Sequence, residues 1–490
     1  MTPEEYAEQD ATGLAQLIKE RAVSQKDVVQ ATISAIESLN PKLNAVIEYF
    51  QDRVETLEDW PEAADRPFAG VPWLLKDIGA GEPGRKQEQG SRLMVGSVVQ
   101  EETHLFSKMR AAGLIPLGRT TVPEFAYDCN TETLLQGSTH NPWDLARSAG
   151  GSSGGAAASV ASGIVPAAHA SDGGGSIRIP ASLNGLVGLK PTRGRVSTWP
   201  IFIADRPLGH ATEFVVSRTV RDQARFLDAF HGPAPSEPQT LAAPTTSYSS
   251  IMEMPFRNLK VAVNWNNGGP CLTDASCIDA IKRVGTLLSD AGHIVEEGYP
   301  DVEFQTFASA MSDLWSVEIT TMLDHLSAEM DRPLDETTLE PNALKMISRS
   351  QALSAQNLMD ALLTQDLCSK HFHDFLTDYD VLITPATCTP APLLGRTGPY
   401  TEKPWMLDFG DPASAALCQY TFQANATGLP AISLPLGWTN EGLPIGVQIQ
   451  ARYGDEATLL QLARFFERTM PWMDRHPPLY ITTQEGAEHD

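Results

Sequence analysis

Residues 147–180 read RSAGGSSGGAAASVASGIVPAAHASDGGGSIRIP. Two glycine–serine clusters, GGSSGG at 150–155 and DGGGS at 172–176, enclose one small apolar unit. Glycine costs backbone entropy and is kept where φ must be positive or where the backbone must approach something closely. A lone glycine–serine run is ordinarily a flexible linker. Two runs framing a short apolar unit argue instead for two tight loops. Ala156 to Ser162 is small and helix-compatible, Gly163 can stop it, and Ile164 to Ala168 predicts a brief buried strand. A helix–strand unit of that size returns the chain, so serines from both clusters can share one site. Acyl transfer needs a nucleophile, a route for its proton and N–H donors aimed at a developing oxyanion. Gly173 to Ser176 offers consecutive N–H groups beside a hydroxyl.

Competing motifs fit less well. Gly151-Ser152-Ser153-Gly154-Gly155 formally matches G-x-S-x-G centred on Ser153, but a nucleophile elbow follows a strand directly. The segment before it, Pro142 to Ser148, is polar and turn-like. Neither cluster carries the lysine of a phosphate-binding loop or the G-x-G-x-x-G spacing of a dinucleotide site.

Working outward, Gly70-Val71-Pro72-Trp73-Leu74-Leu75-Lys76-Asp77 is an apolar run that ends on a lysine. One interpretation is a strand end emerging into solvent. The other is a lysine desolvated enough to serve as a base near neutral pH. The residues alone leave both open. Upstream, amphipathic helices are predicted within 10–39, the second opened by a Ser24–Asp27 capping box. A helix and the strand Leu114–Leu117 follow at 103–118, then a loop through Pro123–Asp128. Downstream, Ser217–Phe230 predicts a helix with Asp222 and Arg225 outward. Residues 232–250, rich in Pro, Ser and Thr, form the best internal boundary. Beyond it, Lys260–Val263, Ala275–Ala291 and His293–Glu296 make a β-α-β unit. Residues 303–376 are mostly helical, and strands follow at 380–385, 431–436 and 445–450 before a final helix at 457–468. The fold class is α/β with a mixed sheet.

The length of 490 residues alone accommodates about three domains. Sixty-one acidic against 36 basic residues give a net charge of −25, which repels phosphate backbones and anionic lipid and argues against nucleic-acid or membrane partners. Six dispersed cysteines without a C-x-x-C read as free thiols in a reducing compartment. There is no apolar leader and no run of about 18 apolar residues, so a cytoplasmic location is expected. His371-Phe372-His373-Asp374 is the one metal candidate, and alternate residues project apart on a helix, so no metal is expected.

Gly150–Gly155, Asp172–Pro180 and Gly188-Leu189-Lys190-Pro191-Thr192 together resemble the signature of the amidase signature family. Gly70–Asp77 resembles that family's lysine strand, and Asn425–Ala431 and Gly442–Gln448 resemble its C-terminal motifs. The resemblance covers nearly the whole chain. It implies one domain over 1–490: N-terminal helices to 65, a catalytic core at 66–232, and sheet completion with substrate-pocket helices at 251–490. The implied architecture is a central mixed β-sheet covered by helices on both faces. The implied chemistry is amide hydrolysis without cofactor through Ser176 as nucleophile, Ser152 as bridging serine after a cis peptide, and Lys76 as base. Gly173, Gly174 and Gly175 would supply oxyanion N–H groups, with Asp172, Arg178 and Ser153 supporting them. Tyr127, Trp199 and Phe202 are the candidates for the substrate pocket.

Ala168-His169-Ala170-Ser171-Asp172 departs from the common Gly-Thr-Asp form and resembles the branch of cyclic-dimer (nylon-oligomer) hydrolases. Linear or cyclic amides, anilides, carbamates and esters all suit such a triad. An ammonia-releasing amidotransferase subunit is the alternative, and a non-catalytic binding homologue a second. The expected partner is a small-molecule amide, and the expected state a monomer or homodimer.

Overall fold

The computed structural model describes residues 1–57, 65–200, 209–235, 237, 241–396, 398–400 and 412–482. Among the described residues eleven strands build the two larger sheets, and two short two-stranded ribbons lie outside them. The smaller contains β1 (Val46–Tyr49), β2 (Pro72–Lys76) and β3 (Ile115–Thr120), with β3 central, antiparallel to β1 and parallel to β2. The larger contains β4 (Ala167–Asp172), β5 (Val187–Lys190), β6 (Thr212–Ser217), β7 (Lys260–Val263), β8 (Ile294–Glu297), β9 (Val381–Pro385), β10 (Ala431–Trp438) and β11 (Pro444–Ala451). Its spatial order is β8-β7-β9-β11-β10-β5-β6-β4. The first three strands run parallel, and every later pairing is antiparallel.

β4, β6, β9 and β11 are buried at every position, so β9 (Val381–Pro385) reads as an apolar run rather than an alternating one. Helices cover the sheet. Arg178–Asn184, Ala275–Asp290 and Glu456–Thr469 all pack on β10 and β11, while Gly154–Ala161 packs on β4 and β6. One apolar core lies around this sheet. A second lies beneath helices Phe304–Met330, Pro341–Ala352 and Ala355–Asp378 and includes Trp315, Met311 and Phe422. The central mixed sheet flanked by helices is the fold expected.

Most helix signals hold. Ser24 and Asp27 form the capping box of helix Gln25–Leu43, and Thr103 caps His104–Ala112. Three expectations change. The strand after Gly163 is not Ile164–Ala168 but Ala167–Asp172, so the ladder to β6 extends through Asp172 itself. Asp222 does not face outward. It is fully buried and accepts hydrogen bonds from the backbone of Ala11 and Thr12, both 2.9 Å, at the start of helix Ala11–Lys19. Arg225 is half-buried, with its guanidinium 5.6 Å above the Phe68 ring. Finally, the 232–250 stretch does not separate two sheets, because β5 before it pairs directly with β10 after it.

All six cysteines are free thiols. Among the described residues no helix is long and apolar enough to cross a membrane. His373 makes a hydrogen-bond contact with the Thr427 carbonyl at 3.1 Å, and no metal-binding group occurs among the described residues.

Candidate active site

Lys76 ends β2, all five residues of which are buried. β2 is an edge strand, and β4 lies against it. The Lys76 backbone N–H has no ladder partner on that side and donates instead to His169 Nδ1 of β4, at 3.2 Å. Its side chain, 1% exposed, reaches Ser152 Oγ and Ser171 Oγ at 2.8 Å each, and the Ser171 carbonyl at 3.4 Å. Burial brings the lysine pKa down to about 7, against the opposing pull of the Glu213 and Asp172 carboxylates. The ammonium and the free amine are therefore both accessible near neutrality. The strand does not emerge into solvent.

Ser152 follows a cis peptide from Gly151. A Cβ on Gly151 would lie 2.7 Å from the Asn130 nitrogen, so only glycine lets the 129–130 backbone pack there. Ser153 is also buried, and its hydroxyl donates to the Ser171 carbonyl at 3.2 Å while accepting from the Ser171 N–H at 3.4 Å. It thus does not cap helix Gly154–Ala161, whose Gly154 N–H donates to Thr131 Oγ1 at 3.2 Å, and it fixes Ser171, a residue that sequence reasoning did not single out.

The second loop hangs on Asp172 and Arg178, both fully buried. Arg178 grips the carboxylate with two nitrogens, Nε to Oδ2 and Nη2 to Oδ1, both 2.9 Å. Its remaining donors reach the Thr421 carbonyl and Gln448 Oε1 at 2.7 Å and Asn425 Oδ1 at 2.6 Å. Burial alone would raise the Asp172 pKa, but Arg178 holds it below the ordinary carboxylate value. Asp172 in turn accepts from Gly175 N–H at 2.7 Å and Ile177 N–H at 3.1 Å. Gly175 adopts φ +136°, and a Cβ there would lie 2.3 Å from Thr421 Oγ1. Its N–H is committed to Asp172, whereas Gly173 and Gly174 border the cavity.

Ser176, 9% exposed, opens on that cavity together with Ser152 and Ser171. The cavity holds about 710 Å³ of space, mouth included, and Phe125, Tyr127, Trp315 and Met322 form much of its wall. Phe125 and Ala126 take positive φ, 52° and 62°, which turns the loop so that Tyr127 and Asp128 line the cavity. Burial raises the Asp128 carboxyl well above the usual range. Of the pocket candidates, Tyr127 lines the cavity. Trp199 is not among its described lining residues, and its carbonyl caps helix His104–Ala112 by accepting from His104 N–H at 3.0 Å. Phe202 lies outside the described residues. Trp315 and Met322 come from the helices at 303–376, within the stretch expected to shape the pocket, whereas Asn425, Thr421 and Gln448 were not singled out from sequence. Asn425 and Gln448 do fall within the C-terminal motifs, but nothing local says that either reaches Arg178.

Over residues 27–460 the chain matches the Amidase family, and it belongs to the amidase signature enzymes, which hydrolyse amide carbon–nitrogen bonds. Among characterised relatives, it is 35% identical over 484 residues to 6-aminohexanoate-cyclic-dimer hydrolase of Paenarthrobacter ureafaciens, covering 96% of this chain and 97% of that one. It is 31% identical to an acylamidase of Rhodococcus erythropolis, over 95% and 96% of the two chains. The structure of a 6-aminohexanoate cyclic dimer hydrolase complexed with substrate superimposes with TM-score 0.91 at 33% identity, covering 96% of this chain and 99% of that one.

Proposed function

We propose that the protein hydrolyses small non-peptide amides, linear or cyclic, through Ser176, Ser152 and Lys76. The observation that carries this is the buried lysine 2.8 Å from the hydroxyl of the bridging serine. A neutral amine has two N–H groups and one lone pair. Ser171 Oγ and the Ser171 carbonyl take the two N–H groups, which leaves the lone pair for the Ser152 hydroxyl.

The Ser152 proton moves to Lys76 Nζ, and Ser152 takes the proton of Ser176. Ser176 Oγ forms a bond to the amide carbon, and the carbonyl π pair moves onto oxygen, where the N–H groups of Gly173 and Gly174 stabilise it. Collapse breaks the C–N bond, and the amine leaves with the proton returned through Ser152. Water then adds to the acyl ester by the same relay, releasing the acid and Ser176. Asp172 and Arg178 hold the loop that carries Ser176.

The largely apolar wall of Phe125, Trp315 and Met322 suits an acyl chain of methylenes. The likeness to a cyclic-dimer hydrolase and an acylamidase supports the same substrate class. Anilides, carbamates and esters fit the same acyl chemistry as side substrates. The test is a panel of linear and cyclic amides, anilides and carbamates, assayed on the purified chain with no partner protein. Ammonia or amine release from at least one amide is expected, reduced about 10⁴-fold or more in Ser176→Ala. Inactivity across the panel, or full activity in Ser176→Ala, contradicts the proposal.

A further inference from the structure

Beside Lys76, and not lining the cavity, lies a pair the mechanism above does not use. His169 and Ser171 alternate along β4 and therefore project to the same face. Glu213 of β6 stands directly opposite Ser171 in the antiparallel register, so it shares that face. His169 Nδ1 accepts the Lys76 backbone N–H at 3.2 Å, which assigns the ring proton to Nε2. His169 Nε2 lies 3.4 Å from Glu213 Oε2.

His169 and Glu213 are both fully buried, and neither Glu213 oxygen has an aligned hydrogen-bond donor. The chain leaving Lys76 crosses directly over the carboxylate. A Cβ on Gly79 would lie 1.8 Å from Glu213 Oε1, and Gly79 has φ +93°. A carboxylate sealed this way without donors is strongly disfavoured unless a charge nearby offsets it. The cation at hand is Lys76, whose own field includes Glu213 and Asp172.

We propose that Glu213 is a positioning residue for Lys76. It packs at 3.4 Å behind the histidine that accepts the Lys76 backbone N–H, and through space it is the counter-charge of the lysine ammonium. The inference rests on the assignment of Lys76 as the base. The groups facing Lys76 are Glu213 of β6, Asp172 and His169 of β4, and the serines 152 and 171. Asp172 is already saturated by Arg178 and Asn425, which leaves Glu213 as the carboxylate without a bonded cation. Burial of the lysine favours the amine and Glu213 favours the ammonium. The balance fixes the acid limb of reactivity, with its midpoint near the lysine value of about 7.

The test is the pH dependence of the rate at which a fluorophosphonate labels Ser176, which needs no knowledge of the substrate. Glu213→Gln keeps the shape and removes the charge. Its acid limb is expected to move to lower pH by about one unit, since removing an opposite charge lowers the pKa of the lysine it faces. Glu213→Asp, which withdraws the charge by one methylene, is expected to move the limb the same way by less. It carries the test if Glu213→Gln does not fold. A limb unmoved in the folded variant overturns the proposal and shows Glu213 to be packing alone. Lys76→Ala and Ser176→Ala are measured alongside. If Lys76→Ala labels at the wild-type rate, the base assignment itself has failed and this inference falls with it. If Lys76→Ala is dead and the Glu213 variants leave the limb in place, only this inference fails.

Discussion

Lys76 shows what can be decided from a residue and what cannot. In sequence, a lysine after Trp-Leu-Leu reads as a strand end more readily than as a desolvated base, and nothing local separates the two. Its fate depends on β4 closing over it, 93 residues later in the chain. The consequence is measurable in stability as well as activity. The folded lysine has a pKa near 7, well below the ordinary 10.5 of the unfolded chain. Between about pH 7 and pH 10 the unfolded state binds the extra proton, so the lysine's contribution to stability rises with pH across that window and is lost below it. Lys76→Met removes this contribution. Denaturant unfolding should show the variant gaining on wild type as pH falls from 10 to 7, with no labelling of Ser176 at either end. A constant difference across that range would mean that the lysine is not desolvated.

At the scale of elements, the two glycine–serine loops differ in what they demand of their backbone. The first needs close approach at Gly151, and the second needs an unusual φ at Gly175. Gly175→Ala places a methyl against Thr421 Oγ1 and Ile179 Cδ1. The expected outcome is a folded protein whose labelling rate falls about 10²-fold, because a displacement near 1 Å misplaces the Ser176 hydroxyl. An unchanged rate would show that the loop tolerates movement. That the clusters were loops, and that they met, was legible in their composition. The limits of the intervening strand were not. Ala167 to Asp172 contains His169, Ser171 and Asp172, polar residues that read as loop but are buried, each bonded to a residue distant in sequence: Lys76 for the first two and Asn425 for Asp172. Asp222 misled for the same reason. A buried carboxylate capping helix Ala11–Lys19 looks, within its own helix, like a solvent-facing one.

Across the whole molecule, β7 to β11 were legible as strands, but β1, β5 and β6 were not read as strands, and the order in the large sheet was hidden because it depends on pairings such as β5 with β10 and β6 with β4. Contacts between the chain's two ends were equally silent. Arg218 donates to the Ala7 carbonyl at 2.8 Å and to Tyr480 Oη at 2.5 Å, and its own carbonyl accepts from Trp472 Nε1 at 2.9 Å. Arg218→Ala leaves these buried groups short of a charged donor and is expected to destabilise the chain by about 3 kcal/mol. Its activity per folded molecule should remain at the wild-type level, and a lowered kcat in the folded variant would count against so purely structural a role. The central claim is that two loops and one strand from separate parts of the chain converge on a single nucleophile. Its most direct test is fluorophosphonate labelling of the intact protein at pH 8, followed by peptide mapping, in wild type and in Lys76→Ala. One adduct, on Ser176, in wild type and none in Lys76→Ala is the predicted result. An adduct on another residue, or undiminished labelling without the lysine, would contradict the account.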